Sequence, residues 1–334
     1  MNSLHSWRRD LKESLPLVQR PDLVWIGGVG DIMVQRGIQT TLIGGGEAGL
    51  REIFGDTLEI LRRQDLLIGN LEGAVSRRGS AIAKSYNFRF RPEVLEPLKS
   101  AGFDYFSLTN NHAYDYGEIG FVDSLQHLSD AGLATSGAGM TPQEAYRPYR
   151  TKIGGTTVKV LSVAAYPREK NGFDGRTQAS VREDRAGIIF DGPETTEAIR
   201  SFSTPNAIDI VVAHGGREWS SRPSESQISI YRGFIDAGAD LVLAHHPHVL
   251  QGMERYRGGL IAYSLGNFLF PGMGEMRWAE DTLILSLGFL GSRLLYIEPF
   301  PVEIDHRVVS LERGQGEILE RLMSLSRELS TGEN

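Results

Sequence analysis

The sequence predicts an α/β protein built around a central sheet. Short apolar, β-branched runs alternate with amphipathic stretches over most of the chain, and glycines directly follow three of those stretches. The informative polar residues, moreover, sit just after the apolar runs.

The elements follow in order. Leu23 to Gly30, Leu66 to Leu71 and Phe103 to Thr109 read as strands, with Pro92 to Ala101 a helix before the third and Glu118 to Ala131 a helix after it. Val158 to Tyr166, Ile208 to His214 and Leu241 to His245 continue the strands, separated by helices over Glu194 to Phe202 and Ser224 to Ala237. Gly102, Gly132 and Gly238 stand where C-terminal capping glycines commonly stand. After Leu260 the strands Leu260 to Leu265, Thr282 to Phe289 and Leu294 to Ile304 have no helices between them, which predicts antiparallel pairs at a sheet edge or in a second sheet. A helix from Gly316 to Leu329 closes the chain, and the polar, aperiodic stretch Arg168 to Arg185 reads as one long surface loop. The expected organisation is an N-terminal extension over 1–20, one domain over 21–310, and a C-terminal helix and tail over 311–334.

Composition limits the chemistry. The 334 residues are 40% hydrophobic and 23% charged, ordinary for a globular protein. A formal net charge of −7 without blocks of like charge argues against nucleic acid as a partner. With no cysteine, disulfides, thiolate-bound zinc and cysteine nucleophiles are excluded together, so a metal site would use His, Asp, Glu and Asn. The first 20 residues alternate charge with isolated apolar residues, unlike a secretory signal, and no segment reaches the roughly 18 apolar residues of a membrane span. The sequence therefore reads as a soluble, cytoplasmic protein; its oligomeric state is open.

Five strand ends deliver oxygen and nitrogen ligands: Asp31; Asn70 and Glu72; Asn111, His112 and Asp115; His214 and Glu218; and His245-His246-Pro247-His248. In parallel α/β sheets these ends line the ligand crevice. Such donors suit Mn, Zn, Fe or Mg, and two divalent ions fit better than one because a carboxylate can bridge them. His112, beside a possible Asn ligand, is placed for a general acid. Isolated, each residue has a plainer reading: Asp31 as a helix cap, Asn70 and Asn111 as turn residues, Asn267 as a backbone-bonded amide, and His5, His127 and His306 as ordinary solvated histidines. Lys84 and Arg89 reach an anionic substrate or form a solvated strand edge, the latter being favoured from the residues alone. Three imidazoles in four residues after a strand favour ligation.

The motifs Val29-Gly-Asp31-Ile-Met33, Asn70-Leu-Glu72, Ser107 to Gly117 (SLTNNHAYDYG), Gly238 to Gln251 (GADLVLAHHPHVLQ) and Tyr263 to Phe268 (YSLGNF) resemble the bacterial CapA, or poly-γ-glutamate capsule biosynthesis, family within the calcineurin-like metallophosphoesterases. The resemblance implies a four-layer αββα sandwich with a dinuclear metal site. It implies Asp31 on the first metal, Glu72 as the bridge, Asn111 and His214 on the second, His246 and His248 as paired ligands, His112 as acid and Asp115 orienting it. The choice among His245, His246 and His248 stays open. Gly215-Gly216 stands where the family commonly has Trp, which predicts a roomier pocket on that side.

The expected activity is metal-dependent hydrolysis of a phosphoester, linked to capsule or poly-γ-glutamate metabolism, with Lys84, Arg89 and Glu218 toward the substrate. The alternatives are metal-dependent hydrolysis, transfer or epimerisation on a peptide or γ-glutamyl amide, and a non-catalytic accessory role in polymer synthesis or export.

Overall fold

The computed structural model describes residues 22–34, 36–170, 172–305, 308–312 and 316–331. The expected extension over 1–20 and the readings of His5 and His306 lie outside them. Thirteen strands in two sheets form the centre, numbered here along the chain. The first sheet contains β1 (Val24–Ile32), β2 (Leu66–Leu71), β3 (Tyr105–Ser107), β10 (Asn267–Leu269), β11 (Asp281–Leu290), β12 (Arg293–Asp305) and β13 (Val308–Leu311). The second contains β4 (Tyr149–Ile153), β5 (Thr156–Ala165), β6 (Ala207–Gly215), β7 (Leu241–His245), β8 (Met253–Tyr256) and β9 (Gly259–Ala262).

The first sheet runs β13-β12-β11-β1-β2-β3, with β10 beside the end of β1. Its β1, β2, β3 and β10 are parallel, whereas β11 to β13 add an antiparallel edge. The second runs β8-β9-β7-β6-β5-β4, parallel through β9, β7, β6 and β5. In β6 all nine residues are buried, as in a strand covered on both faces.

Val24, Ile26 and Ile68 of the first sheet pack with Val160, Ile210 and Leu243 of the second in one inter-sheet core. Helices α1 (Arg36–Phe54) and α2 (Gly117–Asp130) cover the outer face of the first sheet through Ile38, Ile53, Phe121 and Leu128. Helices α3 (Pro193–Phe202) and α4 (Glu225–Asp236) cover the second through Ile199, Phe202, Tyr231 and Phe234. The layers are therefore helix, sheet, sheet, helix, the four-layer sandwich expected. The closing helix α5 (Glu317–Thr331) sends Ile318 and Leu322 into the inter-sheet core. Among the described residues no helix is long and apolar enough to cross a membrane.

Several elements depart from the sequence reading. Strand β1 continues to Ile32, so Asp31 lies within the strand. Helix α1 is absent from that reading because Gly44-Gly45-Gly46 interrupts its pattern, and the helix kinks at Gly46 (φ 53°). The edge strand β4 alternates between half-buried and exposed, which weakens its apolar signal. The stretch Arg168 to Arg185 is not simply a surface loop, since it contains a short helix (Gly175–Gln178) and buries Phe173 and Ala179. Gly102, Gly132 and Gly238 do follow helices at positive φ (111°, 67° and 116°), the conformation a capping glycine supplies. Gly30 has a different requirement. A Cβ there would lie 2.3 Å from the carbonyl oxygen of Gly266, so only glycine lets the segment leading into β10 close against β1 beside Asp31.

Candidate metal centre

The carboxyl ends of both sheets meet in one pocket. Asp31 pairs in register with Asn70 on β2 and Asn267 on β10, while His214 pairs with His245 in the other sheet. Asp31, Glu72 and His214 are buried and present ligand atoms all within 4.8 Å of one another. Asp31 is not a helix cap. Its carboxylate accepts from Asn70 Nδ2 (2.8 Å) and the His246 backbone N–H (3.2 Å). Asn70, which looks like a turn residue in isolation, lies in a strand with its amide 3.2 Å from His214 Nδ1. Asn110 holds Asn70 in turn, donating to its Oδ1 at 3.0 Å.

Glu72 Oε1 is the centre of the arrangement. It is buried without a hydrogen-bond partner, yet His112 Nε2, His214 Nε2 and His248 Nε2 stand 3.9, 3.9 and 3.8 Å from it.

The three histidines at the end of β7 and just beyond it separate in role. His245 Nε2 is engaged by the Val29 carbonyl at 2.9 Å, beneath the pocket. His246 and His248 adopt positive φ (98° and 58°), rare for residues with a Cβ, and the turn brings both rings into the pocket. The buried Nδ1 of His246 has no partner, and its ring lies 4.8 Å from that of His214. His248 Nδ1 contacts Asp31 at 3.3 Å and Asn267 Oδ1 at 2.9 Å, while Asn267 Nδ2 donates to the carbonyls of His248 and Ala279. Asn267 is thus backbone-bonded, as read, and also orients an imidazole.

On the opposite wall His112 Nδ1 lies 2.6 Å from Asp115, and its ring stacks on Phe88 at 4.2 Å. Asn111 Oδ1 lies 3.0 Å from His214 Nε2. Lys84 differs from both sequence expectations. Its side chain is 1% exposed, and its ammonium pairs with Asp115 at 3.0 Å and Glu169 at 2.9 Å, so it is neither a solvated edge nor open to a substrate. Arg89 is exposed and stacks on Tyr116 at 4.2 Å. Glu218 is exposed, with its charge acting on Glu72. Gly215 and Gly216 do not open the pocket: a Cβ on them would meet the Ala165 carbonyl at 2.4 Å and the Gln227 amide at 2.6 Å. An aromatic wall is supplied instead by Trp219, stacked on His248 at 5.2 Å.

Charge in the pocket is unbalanced. Burial, then the neighbouring Asp31 charge, pushes Glu72 well above the usual carboxylate range. Asp31 resists burial because the His248 hydrogen bond and charge hold it below that range. His248, against burial, is raised to about 10 by the charge of Glu72 and its contacts with Asp31. Burial pushes the other imidazoles down: His246 to about 3, reinforced by the His248 charge; His214 well down, reinforced by His246; and His112, opposed by Asp115. Asp31 is thus held as a carboxylate and His112, His214 and His246 as neutral imidazoles, whereas Glu72 and His248 hold protons that a bound cation would have to displace.

The residues fit a divalent metal. Ligands bound at about 2.0–2.2 Å have donor atoms roughly 3–4 Å apart, and the contacts around Glu72 Oε1 fall at that spacing. Hydrogen bonds would be shorter, which leaves an ion as the natural partner for this oxygen.

Asn110, Asn267 and Glu169 are the site residues to which the sequence reading gave no role at the centre, and Asn70, named there as a strand-end donor, serves by holding Asp31. The asparagines lie beside named motif positions and could have been found from strand register. Glu169 lies in the aperiodic stretch, where no local signal marks it.

Comparisons with known proteins agree with this architecture. Two solved structures share the fold: a hypothetical protein from Thermus thermophilus (TM-score 0.52, 16% identity, 84% of this chain and 100% of that one) and a novel phosphatase from Mycoplasma pneumoniae (TM-score 0.52, 11% identity, 89% and 96%). The PGA biosynthesis protein CapA of Bacillus subtilis is 31% identical over 267 residues, 79% of this chain and 67% of the relative. The capsule biosynthesis protein CapA of Bacillus anthracis is 29% identical over 287 residues, 82% and 66%. The chain thus spans about two thirds of the length of these two relatives. A probable polyglutamine synthesis accessory protein of Mycobacterium tuberculosis is 28% identical over 296 residues, 76% and 77%. Residues 26–272 match the family described as bacterial capsule synthesis protein PGA_cap, and the chain belongs to that family.

Proposed function

We propose that the protein is a metal-dependent hydrolase of a phosphoester, acting in capsule or polyglutamate metabolism. The observation that carries this reading is Glu72 Oε1, a buried carboxylate oxygen without a hydrogen bond, ringed by three imidazole nitrogens. Asp31, Glu72, Asn111, His214, His246 and His248 would hold the ions, two in number, with Glu72 as the shared ligand. Bound there, the ions supply Lewis acidity toward the substrate oxygens and lower the pKa of water.

The remaining chemistry belongs to side chains. Asp115 fixes the Nδ1 proton of His112, so Nε2 is the atom that exchanges a proton with the leaving oxygen. Phe88 shields that ring from water. Lys84 acts by holding Asp115 rather than by touching substrate. Arg89 and Glu218, both exposed, are left to sort substrates at the rim.

Elemental analysis of protein purified without a metal-affinity tag should find about two equivalents of transition metal, largely lost from His246→Ala/His248→Ala. No metal in either protein, even after incubation with Mn²⁺ or Zn²⁺, would leave the accessory role standing instead. His112→Ala should lower phosphoester turnover about 10²–10⁴-fold with metal content unchanged; unchanged turnover removes His112 from the acid role.

A second reading, metal-assisted chemistry on a γ-glutamyl amide, is favoured by one observation. The ammonium expected at a phosphate is committed to Asp115 and Glu169, while Glu218 adds negative charge nearby. The polyglutamine synthesis named in the description of the Mycobacterium tuberculosis relative, which concerns an amide-linked polymer, suits it as well. A panel of phosphoesters beside γ-glutamyl peptides separates the two, since activity confined to one class rejects the other.

A further inference from the structure

We propose that Glu169 is a positioning residue that sets the Asn111 amide for metal ligation and ties that ligand to the His112 acid; this rests on the metal-site reading above. Glu169 lies just beyond β5 of the second sheet, whereas Asn111 and Lys84 come from loops of the first. Its backbone is fixed by a turn in which Glu169 N donates to the Phe173 carbonyl (2.9 Å) and Gly172 N donates to the Glu169 carbonyl (3.0 Å). From there Oε1 makes two contacts, accepting from Asn111 Nδ2 at 3.2 Å and from the Lys84 ammonium at 2.9 Å.

The Asn111 contact has a directional consequence. An asparagine amide has one accepting and one donating end, and only the oxygen can ligate a cation. Holding the NH₂ end on a carboxylate turns Oδ1 the other way, where it meets His214 Nε2 at 3.0 Å. The Lys84 contact reaches the acid. Lys84 also donates to the Asn111 carbonyl at 2.7 Å and pairs with Asp115, which in turn bonds His112 Nδ1. Phe173, from the same stretch as Glu169, lies under the ammonium at 4.8 Å. One carboxylate therefore braces both the ligand and the acid.

Mn²⁺ titration of the full chain, read by the free Mn²⁺ signal and by elemental analysis, tests this with two variants. Glu169→Ala should weaken one of two Mn²⁺ equivalents about 10–100-fold, the loss typical when the partner of a ligand is removed. Glu169→Gln retains an acceptor for Asn111 and should bind within about threefold of the parent. Thermal melts of both variants identify any loss due to unfolding. Unchanged affinity in Glu169→Ala would overturn the proposal, and so would equal losses in both variants, because charge rather than amide orientation would then be what counts. A parent that takes up no Mn²⁺ would overturn the metal reading and this inference with it, an outcome distinct from the other two.

Discussion

Glu72→Gln is expected to abolish the shared metal site and, in chelator-treated protein, to raise stability. The two effects have opposite sign because the carboxylate is buried beside Asp31 with an oxygen that accepts no hydrogen bond. An isosteric amide removes that charge and keeps the shape. A gain of about 2 kcal/mol, roughly 4 °C in melting temperature, is the expected scale without metal. The pH dependence fixes the sign. Because the Glu72 carboxyl is raised in the folded protein, the fold keeps that proton where the unfolded chain has already lost it. Stability from this group falls as pH rises above the ordinary carboxylate range, so the advantage of the variant should grow as pH is raised above that range. Asp31, held low, contributes stability that is lost only in acid, and His248 contributes stability lost as pH rises through about 10. Melting curves and metal content at several pH values decide the matter. A Glu72→Gln protein that retains both metals, or melts below the chelated parent, would remove Glu72 from the bridging role.

Asp115→Ala should be the most destabilising change at the site. The carboxylate has no exposed surface and accepts from His112 Nδ1 and Phe88 N at 2.6 Å each, besides pairing with Lys84. Truncation leaves a buried ammonium with one carboxylate fewer, and breaking a buried pair in this way costs about 3–5 kcal/mol. Adding Lys84→Met removes the stranded charge and should recover much of the loss in denaturant titrations. A double variant no more stable than the single one would assign the loss to the bonds of His112 and Phe88.

Convergence at the centre was legible because Asp31, Glu72, Asn111, His112, His214, His246 and His248 all lie at or beyond the ends of apolar runs, and parallel strands place such ends together. Order along the chain was enough to predict that much. Burial of Lys84 was not legible, since its partners Asp115 and Glu169 are 31 and 85 positions away and nothing near Lys84 announces them. The turn reading of Asn70 in isolation failed for a related reason: its neighbours Gly69 and Leu71 announce no partner, and only the pairing of β1 with β2 brings its amide to the Asp31 carboxylate at 2.8 Å. Helix α1 was missed through local composition, its three adjacent glycines weakening the pattern that the fold then tolerates with a kink.

The pocket draws its candidate ligands from both sheets, and the partners Asp31 and His246 stand 215 residues apart in the chain. Contacts that span so much sequence form only once the sheets have docked, so the site is completed late in folding. Metal uptake should therefore act on the lifetime of the native state rather than on its birth, slowing unfolding while leaving the refolding rate nearly unchanged, and chelation would shorten that lifetime through the unfolding limb alone.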